Sequence, residues 1–174
     1  LVGFLLPRVL VASTALEGWS AVFDGRIYGL GGRGLSVRLA RALRVPGYFV
    51  AAAPPALDPE HFPGFRQFYV LGPQTGRDHV RAVWVSEEED VGRWHFGTDG
   101  EVQPYEDVEA YRRRRHTDRF TERMLVDYAA AVGLRPWEDS FYRPPFHLIT
   151  SLRLGRDRFQ RTLAQVRTEM KLDE

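Results

Sequence analysis

The feature that most constrains the fold is the order of two hydrophobic patterns along the chain. The first two-thirds contain short runs rich in Val, Phe, Tyr and Trp, separated by Gly and Pro turns, which is typical of β-strands. The last third contains longer segments in which apolar residues recur at helical spacing. This order predicts an α+β fold, with a largely antiparallel sheet of about five to seven strands and about three or four helices packed mainly on one face.

Strands and helices can be placed from these patterns. The clearest helix follows Thr117 and Asp118, which are candidate N-caps, and stops at Gly133. Its apolar stripe consists of Phe120, Met124, Tyr128 and Val132. The predicted strands span residues 8–13, 19–23, 47–53, 65–72, 79–86, 93–96 and 147–153, and the predicted helices span residues 35–45, 105–116, 117–134 and 156–170.

Length and composition limit the class of protein. A chain of 174 residues, 44% hydrophobic and with a net charge of +1, predicts a single domain over residues 1–174 with no whole-molecule attraction to nucleic acid or membranes. Cysteine is absent and Lys171 is the only lysine, which favours a cytoplasmic protein of a high-GC bacterium. No apolar run approaches the ~18–20 residues of a membrane span, and the apolar start is expected to make a poor signal peptide because Pro7 and Arg8 interrupt it.

A glycine motif raises the question of dinucleotide binding. Gly29, Gly31 and Gly34 have the fingerprint spacing. However, the preceding strand has the form of a hairpin arm after the Asp24-Gly25 turn, whereas the fingerprint requires a buried parallel strand. The acid expected roughly 20 residues further on is replaced by Ala53 and prolines. We therefore expect a Gly-rich connection and no cofactor.

Two arginine clusters are candidate anion-binding sites. The first contains Arg33, Arg38, Arg41 and Arg44, of which the last three lie in a predicted helix, and the second contains Arg112, Arg113, Arg114 and Arg115 at the end of another. Arginines in a last helical turn complement the helix dipole, and Glu109 is spaced to pair with Arg112 or Arg113. A solvated helix end is the plainer interpretation. Phosphate contact is the alternative, and it requires the two clusters to meet in space.

Acidic and aromatic segments are candidate partner-binding surfaces. The four consecutive acids Glu87, Glu88, Glu89 and Asp90 fit no calcium-loop spacing, so they are either solvated or face a basic partner. Aromatic residues in a Pro-rich loop are good interface candidates, because aromatic anchors supply much of the binding energy at interfaces. In this chain they are Trp137, Phe141 and Tyr142, with Phe146 nearby.

No catalytic or metal-binding pattern is present in the sequence. The histidines have no close pair at metal-ligand spacing, and the serines lie in no Gly-x-Ser-x-Gly elbow. His79 and His95 lie on neighbouring predicted strands, where they could share a face with Arg81 and Arg93 and bind an anion. The plainer interpretation is the polar face of a half-buried sheet. We assign no catalytic residue and no metal ligand.

The run GRWHFGTDGEVQPYEDVEAYRRRRHTDRFTERMLVDYAAAVGLRPWEDSFYRP carries a resemblance. A Trp-x-Phe strand leads through a Gly turn to a Pro-aromatic-Glu-Asp start, Tyr-Arg-x-Arg, Asp-Arg-Phe-Thr and a Met-Leu-x-x-Tyr helix. It resembles small proteins of high-GC bacteria and, more loosely, the α+β immunity proteins that neutralise toxins by binding them. The resemblance covers about a third of the chain and implies a cytosolic protein that recognises another protein without a cofactor.

Three functions follow as hypotheses. The first is a non-enzymatic module that binds a protein partner, in the manner of an immunity protein. The second is a nucleic-acid or phosphate-ligand binder that uses both arginine clusters and whose affinity falls with salt. The third is an enzyme for a small anionic substrate with a histidine and arginine site.

Overall fold

The computed structural model describes residues 8–24, 32–54, 63–73, 78–88 and 92–150, with the side chains of Arg8 and Thr150 excepted. These residues form seven strands: β1 (Arg8–Thr14), β2 (Ser20–Asp24), β3 (Gly47–Ala53), β4 (Phe65–Leu71), β5 (Arg81–Glu87), β6 (Trp94–Gly100) and β7 (Tyr142–Thr150). The helices are α1 (Gly32–Leu43), α2 (His116–Arg119) and α3 (Glu122–Ala131), with 3-10 turns at Ala110–Arg112 and Asp139–Phe141.

The strands form two antiparallel sheets. One has the order β2-β1-β7, and the other is a meander in the order β3-β4-β5-β6. The α+β class and the antiparallel pairing are therefore confirmed, but the strands divide between two sheets. Within the described ranges two helices exceed two turns, which is fewer than the predicted three or four. The predicted helix over 156–170 lies outside the described residues.

The four-stranded sheet carries a helix on each face. The core on the face of α3 consists of Phe68, Val83, Val85, Ala110, Phe120, Met124, Leu125, Tyr128 and Ala129. The core on the face of α1 consists of Val37, Ala40, Tyr69, Leu71 and Ala82. Phe68 and Tyr69 belong to opposite cores because successive strand residues point to opposite faces. The prediction that the helices pack mainly on one face is thus wrong for α1 and α3.

The predicted helix over 117–134 is present in two parts. The backbone leaves helical geometry at Phe120, and α3 starts again at Thr121, whose side chain accepts a hydrogen bond from the Met124 N–H at 3.2 Å. Gly133 has φ +81° and ends the segment as predicted. Three residues of the predicted stripe, Phe120, Met124 and Tyr128, are buried in the core, and Val132 is partly buried against it.

The predicted helix over 105–116 is wrong. This segment forms turns and one 3-10 turn, because tertiary hydrogen bonds engage its backbone and side chains. The Asp107 N–H donates to the Tyr128 hydroxyl at 2.8 Å, and the Glu106 carboxylate is drawn inward to Arg81. These long-range contacts outweigh the local helical preference.

The last strand begins earlier than predicted. β7 includes Pro144 and Pro145, and its pairing with β1 shifts between Ala12 and Ser13. Ala12 pairs with Phe146 and Ser13 pairs with Arg143, so both prolines lie at the irregularity. A bulge tolerates proline because no ladder hydrogen bond is required there.

Candidate functional site

An apolar cleft of about 680 Å³ separates the two sheets. Its walls are β2, β3 and a largely half-buried side of α1, and Leu134, Pro136, Phe141 and Tyr142 complete the lining. Ala40 and Leu71 from the core under α1 form part of the lining. The volume lies within the range of roughly 300–1,000 Å³ that is usual for ligand sites.

Aromatic contacts shape the cleft. Trp19 stacks on Tyr48 with ring centroids 5.3 Å apart, and this contact joins the two sheets. Phe23 meets the edge of Tyr142 at 5.1 Å. Large rings that pack in this way supply much apolar area at low conformational cost, as binding surfaces require.

The polar groups of the cleft are few and mostly engaged. Among the described lining residues, Asp24 is the one charged side chain. Ser36 Oγ donates to the Gly32 carbonyl at 2.9 Å, and the Tyr142 hydroxyl donates to the Pro136 carbonyl at 2.8 Å. Burial raises the pKa of Tyr48, and burial together with the nearby Asp139 raises the pKa of Tyr142. Both phenols are therefore neutral at ordinary pH, and the cleft suits an uncharged, apolar ligand.

The predicted aromatic surface coincides partly with this cleft. Phe141 and Tyr142 line it, and Phe141 is largely buried there. Trp137 is 47% exposed and lies outside the lining, although it follows the lining residue Pro136 directly. Two of the three aromatic candidates thus belong to the site, and the third lies beside it.

The acidic candidates lie elsewhere and make internal contacts. Glu87 Oε2 accepts from the Gly64 N–H at 3.1 Å, and Glu88 Oε2 is 3.0 Å from His95 Nε2. Glu89 and Asp90 lie outside the described residues.

The two arginine clusters do not meet. Arg33, Arg38 and Arg41 belong to α1, whereas the cluster at 112–115 flanks the 3-10 turn on the face of α3. The four-stranded sheet separates them. Glu109 pairs with Arg112 at 3.0 Å as predicted, and Asp78 pairs with Arg41 at 3.0 Å. The convergence that the phosphate hypothesis requires is not found.

The histidines and arginines that were candidates for a shared anion site do not form one cluster in the structure. His79 Nε2 lies 2.9 Å from Asp99 Oδ2, while His95 pairs with Glu88. Residues 95 and 99 are four apart along β6, or about 13 Å. The predicted sharing of one face is wrong for Arg81, which turns into the face of α3, whereas His95 points to the face of α1.

A buried ion pair was missed by sequence reasoning. Arg81 Nε and Nη2 donate to the two oxygens of Glu106 at 2.8 and 2.5 Å, and Arg81 Nη1 donates to the Gly100 carbonyl at 2.9 Å. The Tyr111 hydroxyl donates to Glu106 at 2.7 Å and lies 3.0 Å from the Tyr128 hydroxyl. Both charged side chains are almost fully buried. Because the groups satisfy one another inside the core, this network is structural.

Some of the apolar residues that recur at helical spacing in the sequence of α1 line the cleft. Leu35, Leu39, Ala42 and Leu43 occur at helical spacing within the predicted helix over 35–45, but the buried residues of α1 are Val37 and Ala40. Leu39 and Leu43 line the cleft, and Leu43 remains 65% exposed. The excess width of the apolar stripe was the available sign of a binding surface.

Within the described part of the chain, no group of three or more His, Asp or Glu side chains could hold a metal ion. Of the helices described, none has the length and apolar character needed to cross a bilayer. The topology around α1 also differs from a dinucleotide site, because β2 and β3 lie in different sheets and the strand pairings within the described ranges are all antiparallel. Among the described residues, Arg38 Nη1 is the one atom that an added Cβ at Gly34 would meet, at 3.9 Å, so no close backbone approach is seen there. Gly29 and Gly31 lie outside the described residues.

Comparisons of the chain with protein-family profiles, with curated proteins and with solved structures found no match.

Proposed function

We propose that this chain is a non-enzymatic binding module that takes up an apolar segment of a partner protein in the cleft between its two sheets. The observation that carries the proposal is the lining, in which aromatic and aliphatic side chains surround a single described charge, Asp24. Apolar surface that stays open to solvent marks interaction sites in folded proteins. That the partner is a toxin, as the resemblance to immunity proteins implies, stays a prediction.

The test uses selected peptides and a matched pair of variants. Peptides are selected from a displayed random library on the wild-type protein, and their affinities are then measured for Val45→Glu and Val102→Glu. Val45 lines the cleft and is 43% exposed, whereas Val102 lies in a loop away from it and is 52% exposed. Both valines are exposed enough to tolerate glutamate, and equal thermal midpoints would establish that the fold is kept.

We expect Val45→Glu to weaken binding at least about tenfold, because the ligand would desolvate a carboxylate with no partner. Val102→Glu should change the affinity by less than about twofold. If the two variants weakened peptide binding equally, or if neither variant changed the affinity, the cleft would be refuted as the binding site.

A further inference from the structure

We infer that the occupant of the cleft is an extended run of apolar residues that adds as a strand to the edge of β3, on the side where the described residues place no neighbouring strand. This inference rests on the proposed function and names the conformation and chemistry of the segment. Three observations support it: the identity of the strands that form the walls, the surfaces above and below the cleft, and its charge.

The cleft runs along two strand edges. β3 is the terminal strand of the four-stranded sheet and β2 is a terminal strand of the other, so each has one neighbour within the described ranges. The lining includes every residue from Ser20 to Asp24 and from Gly47 to Ala51. Consecutive strand residues point to opposite faces, so a cleft that touches all of them follows the backbone edge rather than a face.

A strand edge offers hydrogen bonds in a fixed pattern. Every second residue of an edge directs its N–H and C=O away from its neighbour, and a partner strand can bind them. β3 has seven residues against five for β2, and it belongs to the sheet whose two faces are packed by helices. The edge of β3 is therefore longer than the edge of β2 and lies in the better supported sheet, so it is the better template for an added strand. The five lining residues of β3 span about 17 Å, which is the length of a five-residue strand.

Both sides of such an added strand would meet apolar surface. On the face of α1 the cleft is lined by Leu39, Leu43 and Phe49, and on the face of α3 by Tyr48 and Leu134. A strand buried on both faces consists of consecutive apolar residues rather than alternating ones. The cleft therefore selects a continuous apolar run.

The charge of the lining narrows the segment further. Apart from Asp24, the described lining residues carry no charge, so an ionised side chain within the bound run would lose its hydration with little compensation. A cleft of this volume admits a single segment of chain and not a folded second copy. The occupant is thus an exposed, apolar strand or tail of another protein.

The test uses a peptide with five consecutive Val and Ile residues flanked by two lysines at each end, acetylated and amidated. Its control is an isomer of the same composition in which apolar residues alternate with lysine. Two further peptides carry N-methyl groups on the apolar run, one at odd positions and one at even positions. Hydrogen exchange of the β3 amides is measured with and without each peptide.

We expect the continuous peptide to bind at least about tenfold more tightly than the alternating isomer. N-methylation at one set of positions, odd or even, should lower the affinity at least about tenfold. N-methylation at the other set should change the affinity little, because only one set of N–H groups faces β3. Every second backbone amide of β3 should exchange its hydrogen more slowly when the continuous peptide is bound. Equal affinity for both N-methylated peptides, uniform exchange along β3, or no binding of the continuous peptide would overturn strand addition. If library-selected peptides still bound in a Val45-dependent manner, the proposed function would survive that failure. If the library-selected peptides did not bind in that manner either, both the strand-addition inference and the proposed function would be refuted.

Discussion

At the scale of single residues, the buried pair Arg81–Glu106 determines how β5 is tied to the segment that follows β6. Its guanidinium and carboxylate are joined by two hydrogen bonds, and further hydrogen bonds come from Tyr111 and the Gln103 N–H. Removing one charge from a buried pair leaves the other uncompensated, which costs far more than breaking a surface pair.

Glu106→Gln is therefore expected to lower the free energy of unfolding by about 3–5 kcal/mol. Its control is Glu109→Gln, because Glu109 pairs with Arg112 where both side chains are mostly exposed. That variant should change stability by less than roughly 0.5 kcal/mol. Chemical denaturation of the three proteins measures the difference, and a Glu106→Gln protein as stable as the control would contradict the structural role of the network.

The tyrosines around this pair predict a loss of stability in alkali. Burial, followed by the influence of Tyr48 and Glu106, raises the pKa of Tyr105 to about 12. Burial and the hydrogen bonds to Tyr128 and Glu106 also raise the pKa of Tyr111. Since the unfolded chain releases these phenolic protons first, the stabilisation is complete below the ordinary tyrosine pKa of about 10 and declines as pH rises toward the folded values.

Denaturation as a function of pH checks this expectation. The free energy of unfolding should fall steadily from pH of about 10 to about 12, and the phenolate absorbance of the native protein should lag behind that of the unfolded chain. Coincident titration curves for the folded and unfolded protein would show that these phenols are not protected.

At the scale of elements, one glycine allows β5 and β6 to pack as they do. Gly97 pairs with Trp84, and the indole lies so close that a Cβ at Gly97 would overlap it. Within the part of the chain that the structure describes, Gly34 in α1 has no such neighbour. The same glycine-to-alanine change should therefore have opposite effects in the two elements.

Gly97→Ala is expected to destabilise the protein by about 1–3 kcal/mol through overpacking. Gly34→Ala should stabilise it by up to about 1 kcal/mol, because alanine restricts the unfolded chain and favours the helix. Thermal and chemical unfolding measure both effects. A Gly97→Ala protein that is as stable as the wild type would mean that Trp84 does not lie over that strand.

The elements also show how far local sequence reasoning reaches. The strand from Gly47 to Ala53 was predicted to the residue, because its composition and the Pro-Gly turn before it are local signals. The helix predicted after Tyr105 failed, because Glu106 and Asp107 make contacts with residues distant in sequence. The division into two sheets was also missed, since strand patterns do not encode which strands are neighbours.

At the scale of the whole molecule, the candidate site arises from the space between two sheets. Phe141 and Tyr142 were partner-binding candidates because of their Pro-rich context, whereas Trp19, Tyr48 and Leu43 were placed only within predicted strands and a predicted helix. Their pattern is that of any half-buried strand or helix, and only the separation of the sheets leaves them open to a ligand. The two arginine clusters, which are conspicuous in the sequence, belong to described elements that pack against opposite faces of the four-stranded sheet.

The indole signals of an NMR titration test the central claim most directly. The chain has four tryptophans, of which Trp19 lines the cleft, whereas Trp84 and Trp94 do not. When a selected peptide is added, the indole N–H signal of Trp19 should shift and saturate, while those of Trp84 and Trp94 should stay in place. A shift of Trp84 or Trp94 with no change at Trp19 would place binding on the four-stranded sheet and contradict the account.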